Sequence, residues 1–290
     1  MHSTIEQILS HGPVITDGAW GTQLQARGLG LGEFPDLWNL TNPAKVGEVA
    51  KAYVDAGSEV ILTNTFGANR IRLAEQNAAD RVVEINAKGV EISRAAAAGR
   101  AKVFASIGPS GKLIISGDVT ADELRNAYLE QAKALAGAGA DALVVETMSD
   151  LEEALLAVSA ARESGLPVVA CMVFDSGKDK DRTMMGNTPE QVAKALTEAG
   201  ADVIGANCGQ GIAGFVPICK RMHAASDRPI WAKANAGLPE MVNGKTIYKN
   251  TPEEFVSFIP ELLKAGASFV GGCCGTSPAF VAAISSQLRS

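Results

Sequence analysis

No CxxC pair occurs anywhere in this sequence, which excludes the usual structural zinc modules and thioredoxin-like redox motifs. No GxGxxG follows the first apolar run, so a dinucleotide-binding α/β fold is not expected. No apolar stretch approaches the ~20 residues of a membrane-spanning helix, so no membrane partner is expected. Long Lys/Arg clusters are also missing, and a formal charge of −6 argues against nucleic acid as a partner. The segment Met1 to Gln7 lacks a basic stretch followed by an apolar one, so no secretory leader is expected. Histidine is scarce: His2 and His11 precede the first apolar run, and His223 follows Lys220 and Arg221 on an expected helix. Solvated or capping roles are expected for all of them. The five cysteines make an odd count and no disulfide framework, which fits a reducing compartment and a cytoplasmic location.

What is present is a repeated architecture. With 290 residues, 47% of them hydrophobic, the chain can build a large core. The phrase Ala-Gly-small-polar recurs before short apolar runs, at Ala56-Gly57, Ala138-Gly139, Ala199-Gly200 and Ala265-Gly266. Each glycine can end a helix in the left-handed conformation, after which the chain enters a buried strand. Adding the runs at Val14–Asp17, Val103–Ile107, Val168–Val173 and Ile230–Lys233 gives eight strand candidates. Capping boxes are expected at Thr120, Ser149, Thr188 and Thr251, and Pro189, Pro252 and Pro278 suit the first helical position. Strands alternating with amphipathic helices predict a parallel sheet, and eight such units predict a single (β/α)₈ TIM barrel domain over residues 1–290. A doubly wound open sheet is the alternative.

In such barrels chemistry gathers at the C-terminal strand ends. Those ends carry Asp17, Asn64-Thr65, Gly108-Pro109-Ser110, Glu146-Thr147, Asn207-Cys208, Asn235 and Cys273-Cys274. The vicinal cysteines lie in Gly271-Gly272-Cys273-Cys274-Gly275-Thr276, where glycines permit the bend that turns both thiols to one side. With Cys208 they describe a zinc site with an open position. A pair of buried small hydrophobes, a redox switch and a closed structural zinc site are the competing readings. Cys171 and Cys219 fall on an apolar run and a helix and are expected to be inert core residues. Asp17 and Glu146 are both anionic and together suit an ammonium group.

The charge count favours one chemistry. Three thiolates on Zn²⁺ give a formally anionic complex, on which a bound water gains less acidity than on neutral histidines. A bound thiol instead loses its proton and stays nucleophilic, which suits attack on an activated methyl group.

The sequence resembles the homocysteine S-methyltransferase family. The similar motifs are Asp17-Gly18-Ala19-Trp20-Gly21-Thr22, Thr63-Asn64-Thr65-Phe66, Ser106-Ile107-Gly108-Pro109, Glu146-Thr147, Gly205-Ala206-Asn207-Cys208, Asn235-Ala236-Gly237 and the Gly-Gly-Cys-Cys-Gly-Thr box. They run in order along essentially the whole chain. The resemblance implies a TIM barrel with Zn²⁺ on Cys208, Cys273 and Cys274. It also implies homocysteine with its sulfur toward zinc and its amino-acid end on Asp17 and Glu146. Thr65 is implied in substrate binding, and Asn235 as an oxygen ligand when the thiol is absent.

The chain departs from the betaine-using branch, which carries aromatic residues where this sequence has Gly67 and Thr147. Aromatic faces hold quaternary ammonium groups, so their loss disfavours betaine, with Trp20 or Trp38 as substitutes. The segments Asn235-Ala236-Gly237-Leu238-Pro239 and Thr251–Phe255 look more like the corrinoid-linked branch. A methylated corrinoid (cobalamin) on a separate protein, or as free ligand, is therefore the expected donor. S-methylmethionine or betaine, a different thiol or corrinoid-protein acceptor, and a non-enzymatic thiol- or metal-binding redox module are the alternatives. The charged loop 176–185 is expected to be solvated surface or a contact for the donor.

Overall fold

A computed structural model describes residues 1–30, 32–238, 240–242 and 245–289; Pro239 of the segment singled out above lies outside them. Eight parallel strands form the sheet: β1 (Val14–Ile15), β2 (Val60–Ile61), β3 (Lys102–Ile107), β4 (Ala142–Met148), β5 (Val168–Met172), β6 (Val203–Gly211), β7 (Ile230–Asn235) and, after a hairpin of β8 (Glu240–Val242) and β9 (Lys245–Ile247), β10 (Ala267–Gly272). The order β1-β10-β7-β6-β5-β4-β3-β2 is closed by a parallel bridge between Thr16 and Val60. The expected barrel is therefore the fold, with helices on its outside.

Its closing seam is short. Beyond the Thr16–Val60 bridge, Glu59 N–H donates to the Ile15 carbonyl at 2.8 Å, and Ile15 N–H donates to the Glu59 carboxylate at 2.9 Å. Arg289, in the helix Pro278–Arg289, donates to that carboxylate at 2.7 Å and to the Pro13 carbonyl at 2.8 Å.

The helix boundaries follow their sequence signals. Thr120, Thr188 and Thr251 form complete capping boxes, and Pro189, Pro252 and Pro278 occupy first helical positions. Gly57, Gly139, Gly200 and Gly266 all take positive φ where helices give way to strands. The expected box at Ser149 is replaced by a cap one residue later: Asp150 accepts from Glu152 N–H, and the helix runs Leu151–Arg162. Glu153 is unavailable to complete a box because its carboxylate is buried, accepting from Ser110 N–H at 2.8 Å and Tyr128 Oη at 2.7 Å.

Side chains alternate between two cores. Outward-facing residues such as Val103, Val145, Ala170 and Val270 pack under the helices. Inward-facing Phe104, Val144, Val169, Val203, Trp231 and Phe269 fill the barrel, with Trp231 stacked on Phe104 at 6.1 Å and tilted against Phe269 at 5.1 Å. Gly205 lets the backbone of β7 approach, since a Cβ there would meet the Trp231 carbonyl oxygen at 2.0 Å. Further along, two residues on for Ser106, Glu146, Cys171 and Lys233, and four on for Asn207 and for Cys273 just past β10, the inward positions turn polar. The period of two thus lifts the barrel lining from hydrocarbon to chemistry in one layer.

Candidate active site

The polar layer opens into a cavity of about 550 Å³ at the C-terminal rim. Glu146, Lys233, Cys208, Cys273 and Cys274 line its floor, and Trp20, Phe34 and Phe66 line its walls. Its volume suits a small-molecule ligand.

Cys208, Cys273 and Cys274 come from two different rim segments, yet their sulfurs lie within 4.8 Å of one another. The Cys208 and Cys274 sulfurs are 3.8 Å apart. Tetrahedral zinc–thiolate bonds of about 2.3 Å place two sulfurs about 3.8 Å apart. The backbone achieves this by leaving regular strand geometry. Cys208 takes a left-handed φ of 63°, and the β6–β7 register shifts between Asn207 and Gly211. The Cys208 thiol is lowered to about 3 because Cys273 and Cys274 donate to its sulfur. Those same bonds hold Cys273 well above the usual thiol range and Cys274 at about 11. The Asn235 side chain is hydrogen-bonded to Cys208, while its Oδ1 is buried with no partner. Three convergent sulfurs with an orphaned oxygen alongside fit a zinc ion whose fourth position faces the cavity. Cys171 and Cys219, by contrast, are fully buried, and burial pushes Cys219 up to about 12 and Cys171 well above its usual range.

Glu146 and Asp17 occupy different situations. Glu146 faces the cavity, accepting from Ser106 Oγ and, at 3.3 Å, from Asn207 Nδ2. Burial lifts its carboxyl above the usual range, with the Lys233 ammonium pulling the other way. Asp17 has no exposed surface. Its Oδ2 accepts from Trp20 Nε1 and Leu62 N–H, both at 2.7 Å, and its Oδ1 is ion-paired with Lys233. Burial alone would push Lys233 down, but Asp17 and Glu146 together hold it above the usual lysine range. Thr65 lies behind the wall, its hydroxyl bonded to Thr63 at 2.6 Å and to the Ser106 carbonyl at 2.7 Å; Thr63 lines the cavity in its place.

Around the mouth, the place of a side chain at Gly67 is filled by Phe34, whose ring lies 2.6 Å from where a Cβ would stand. The Arg72 guanidinium sits 5.8 Å from the centre of that ring. Trp20 lines the cavity, whereas Trp38 is buried with Lys45 over its ring at 5.0 Å. The charged loop is tethered: Asp181 pairs with Arg221, which also holds Glu190 at 2.6 Å, and Gln210 donates to the Lys180 carbonyl at 2.8 Å.

Two participants escaped the sequence reading. Lys233 was legible as a lone charge inside the apolar run Ile230–Ala234, a position that buries a cation only beside a counter-charge. Tyr248, which packs over Gly275 and is hydrogen-bonded to Cys274, had no local signal.

A family model described as homocysteine S-methyltransferase matches residues 14–288. The chain is 31% identical over 293 aligned residues to a methionine synthase of Mycobacterium tuberculosis and 30% identical to that of Mycobacterium leprae, each alignment covering 94% of this chain. It spans 24% of the length of each of these relatives. Among solved structures, the metallated form of the Escherichia coli homocysteine methyltransferase MmuM superposes with a TM-score of 0.82 at 22% identity, covering 98% of this chain and 99% of that one.

Proposed function

Since the chain belongs to the homocysteine S-methyltransferase family, its model spanning residues 14–288, we propose that it methylates the thiol of homocysteine to give methionine. The observation that carries this reading is the three-sulfur cluster on the cavity floor, beside the cavity-facing carboxylate of Glu146. Cys208, Cys273 and Cys274 would hold a zinc ion, which would supply the Lewis acidity that keeps a thiol deprotonated at neutral pH while leaving its sulfur electron-rich. The residues of the chain do the rest. Glu146 takes the acceptor's ammonium, and Ser106 and Asn207 hold that carboxylate in place. The sulfur lone pair forms the new bond to the methyl carbon as the donor–methyl bond breaks, its electron pair remaining with the donor. The apolar walls of Trp20, Phe34 and Phe66 keep water from the sulfur while the methyl group is presented.

The donor in this reading is a methylated corrinoid. The Phe34 ring, which fills the space at Gly67, already has the Arg72 cation beside it, so a quaternary ammonium donor meets a charge of its own sign. The similarity to methionine synthases, of whose length the chain spans 24%, supports a donor presented by a separate protein or domain. Methionine formation from homocysteine with methylcobalamin, S-methylmethionine and betaine at matched concentration tests the order. Methylcobalamin is expected to lead; betaine-dependent turnover that exceeds it overturns the donor assignment.

A further inference from the structure

Homocysteine offers a cation and an anion at its amino-acid end, and beside the thiol cluster the cavity presents Glu146 and Lys233, with Glu33, Asp36 and Arg72 also in its lining. Of the two carboxylates suited to an ammonium, only Glu146 lines the cavity. Asp17 is sealed beneath it, its two oxygens taken by Trp20, Leu62 and Lys233. The side chain of Lys233 is 3% exposed, against 0% for Asp17, and Lys233 itself lines the cavity. An ammonium carries three N–H donors. Among the described residues one of these bonds goes to Asp17, leaving the others for a ligand.

We propose that Lys233 is a specificity-determining residue that reads the carboxylate of the acceptor, so that the site takes thiols with an anionic end and the α-ammonium is dispensable. This inference rests on the methyl-acceptor reading of the cavity. The physical argument is one of charge. An arriving ammonium must share Glu146 with a fixed ammonium already inside the barrel, and the two cations repel. An arriving carboxylate finds an unspent charge-assisted donor, held by Asp17 and by the face of Trp231, whose ring centre is 6.0 Å from Nζ. Asp17 is then a positioning residue: it holds the lysine, and it touches no ligand. The substrate class is a short thiol ending in a carboxylate, of which homocysteine is one member and its deamino homologue another.

The test is equilibrium binding to the zinc-loaded protein by calorimetry, using homocysteine, its deamino homologue (a mercaptobutanoate) and its decarboxy homologue (an aminopropanethiol). The deamino thiol is expected to bind within about threefold of homocysteine and the decarboxy thiol about thirtyfold or more weakly, the size of one charge-assisted bond. Lys233→Met should reverse the order of the two homologues with zinc content unchanged. Because that variant strands a buried carboxylate, the double variant Asp17→Asn with Lys233→Met, which removes the pair together, is measured beside it. Tighter binding of the decarboxy thiol to the unaltered protein, or the same ranking in the double variant, overturns the inference. If the deamino thiol binds and homocysteine neither binds nor is methylated, the homocysteine reading falls while the role of Lys233 stands. If homocysteine is methylated but the decarboxy thiol outbinds the deamino one, the reverse holds.

Discussion

Asn207 grips Thr147 with both ends of its amide: Oδ1 accepts from Thr147 N–H and Nδ2 donates to Thr147 Oγ1, each at 2.7 Å. Thr147 needs that grip. It stands at a φ of 60°, a left-handed conformation that costs a β-branched residue, in the segment of β4 where the register with β5 shifts. The same Nδ2 reaches Glu146 at 3.3 Å and the Cys273 sulfur at 3.8 Å. One side chain on β6 thereby couples the Glu146 carboxylate to the thiol cluster.

Asn207→Ala should release that strain and with it the orientation of Glu146. We expect kcat/KM for homocysteine to fall by about a hundredfold, and stability to drop by about 1–3 kcal/mol from the buried groups left unpaired. Steady-state kinetics beside denaturant unfolding separates the two effects. Unchanged kinetics would mean that β4 holds its shape unaided.

Replacement of Cys208, Cys273 or Cys274 by Ala should abolish turnover and most zinc binding while far-UV circular dichroism stays native. The sulfurs stand at the rim, Cys208 near the end of β6 and Cys273 and Cys274 just after β10, whereas the barrel core is filled by residues such as Phe104, Trp231 and Phe269. Full zinc occupancy in Cys208→Ala would exclude the three-sulfur site. Loss of the fold in all three variants would make it structural instead.

Glu146→Gln should weaken homocysteine binding by no more than about threefold, with zinc retained, because the Lys233 ammonium already offsets what an arriving ammonium gains there. The amide keeps the shape and the Ser106 contact. Calorimetric titration of the zinc-loaded variant reads the change directly, and a loss of about tenfold or more would show that the acceptor's ammonium is not dispensable.

Asp36, which lines the same cavity as the sulfurs, should give stability a pH dependence of its own. Burial raises its carboxyl from 3.8 to about 7, against the opposing Gly67 N–H bond. The folded chain holds this proton more tightly than the unfolded one. Its contribution is therefore complete below the unfolded value and is lost as pH rises through about 7. The melting temperature should fall between about pH 4 and pH 7, and Asp36→Asn should flatten that slope because its amide oxygen still accepts from Gly67. A parallel slope in the variant would assign the dependence to other groups.

The fold was legible because its signals are local and repeated. Four Ala-Gly phrases, three capping boxes and three helix-opening prolines each mark a boundary without reference to the rest of the chain. The thiol cluster was legible because Gly271, Gly272 and Gly275 advertise a bend beside two cysteines. Which polar residue faces the cavity was not, since that depends on partners far away in sequence. Asp17 pairs with Lys233, 216 positions later in the sequence, a partner that no local signal names. Thr65 stood in the right motif yet spends its hydroxyl on Ser106, and Asp150 rather than Ser149 caps its helix, without a capping box because Glu153 is engaged by Tyr128.

The short seam of the barrel bears on the order in which the chain assembles. β1 and β2 are two residues each, and among the described residues β1 forms its ladder with β10, the last of the eight parallel strands in sequence order. On a ribosome, the edges of β1 and of the growing sheet stay unpaired until β10 has emerged. Such edges are templates for association with other chains. Arg289 then clasps Glu59 and the Pro13 carbonyl across the join. The final turn of the helix Pro278–Arg289 acts as a latch on β1, so Arg289→Ala should slow closure and promote aggregation during synthesis, while leaving every residue of the cavity in place.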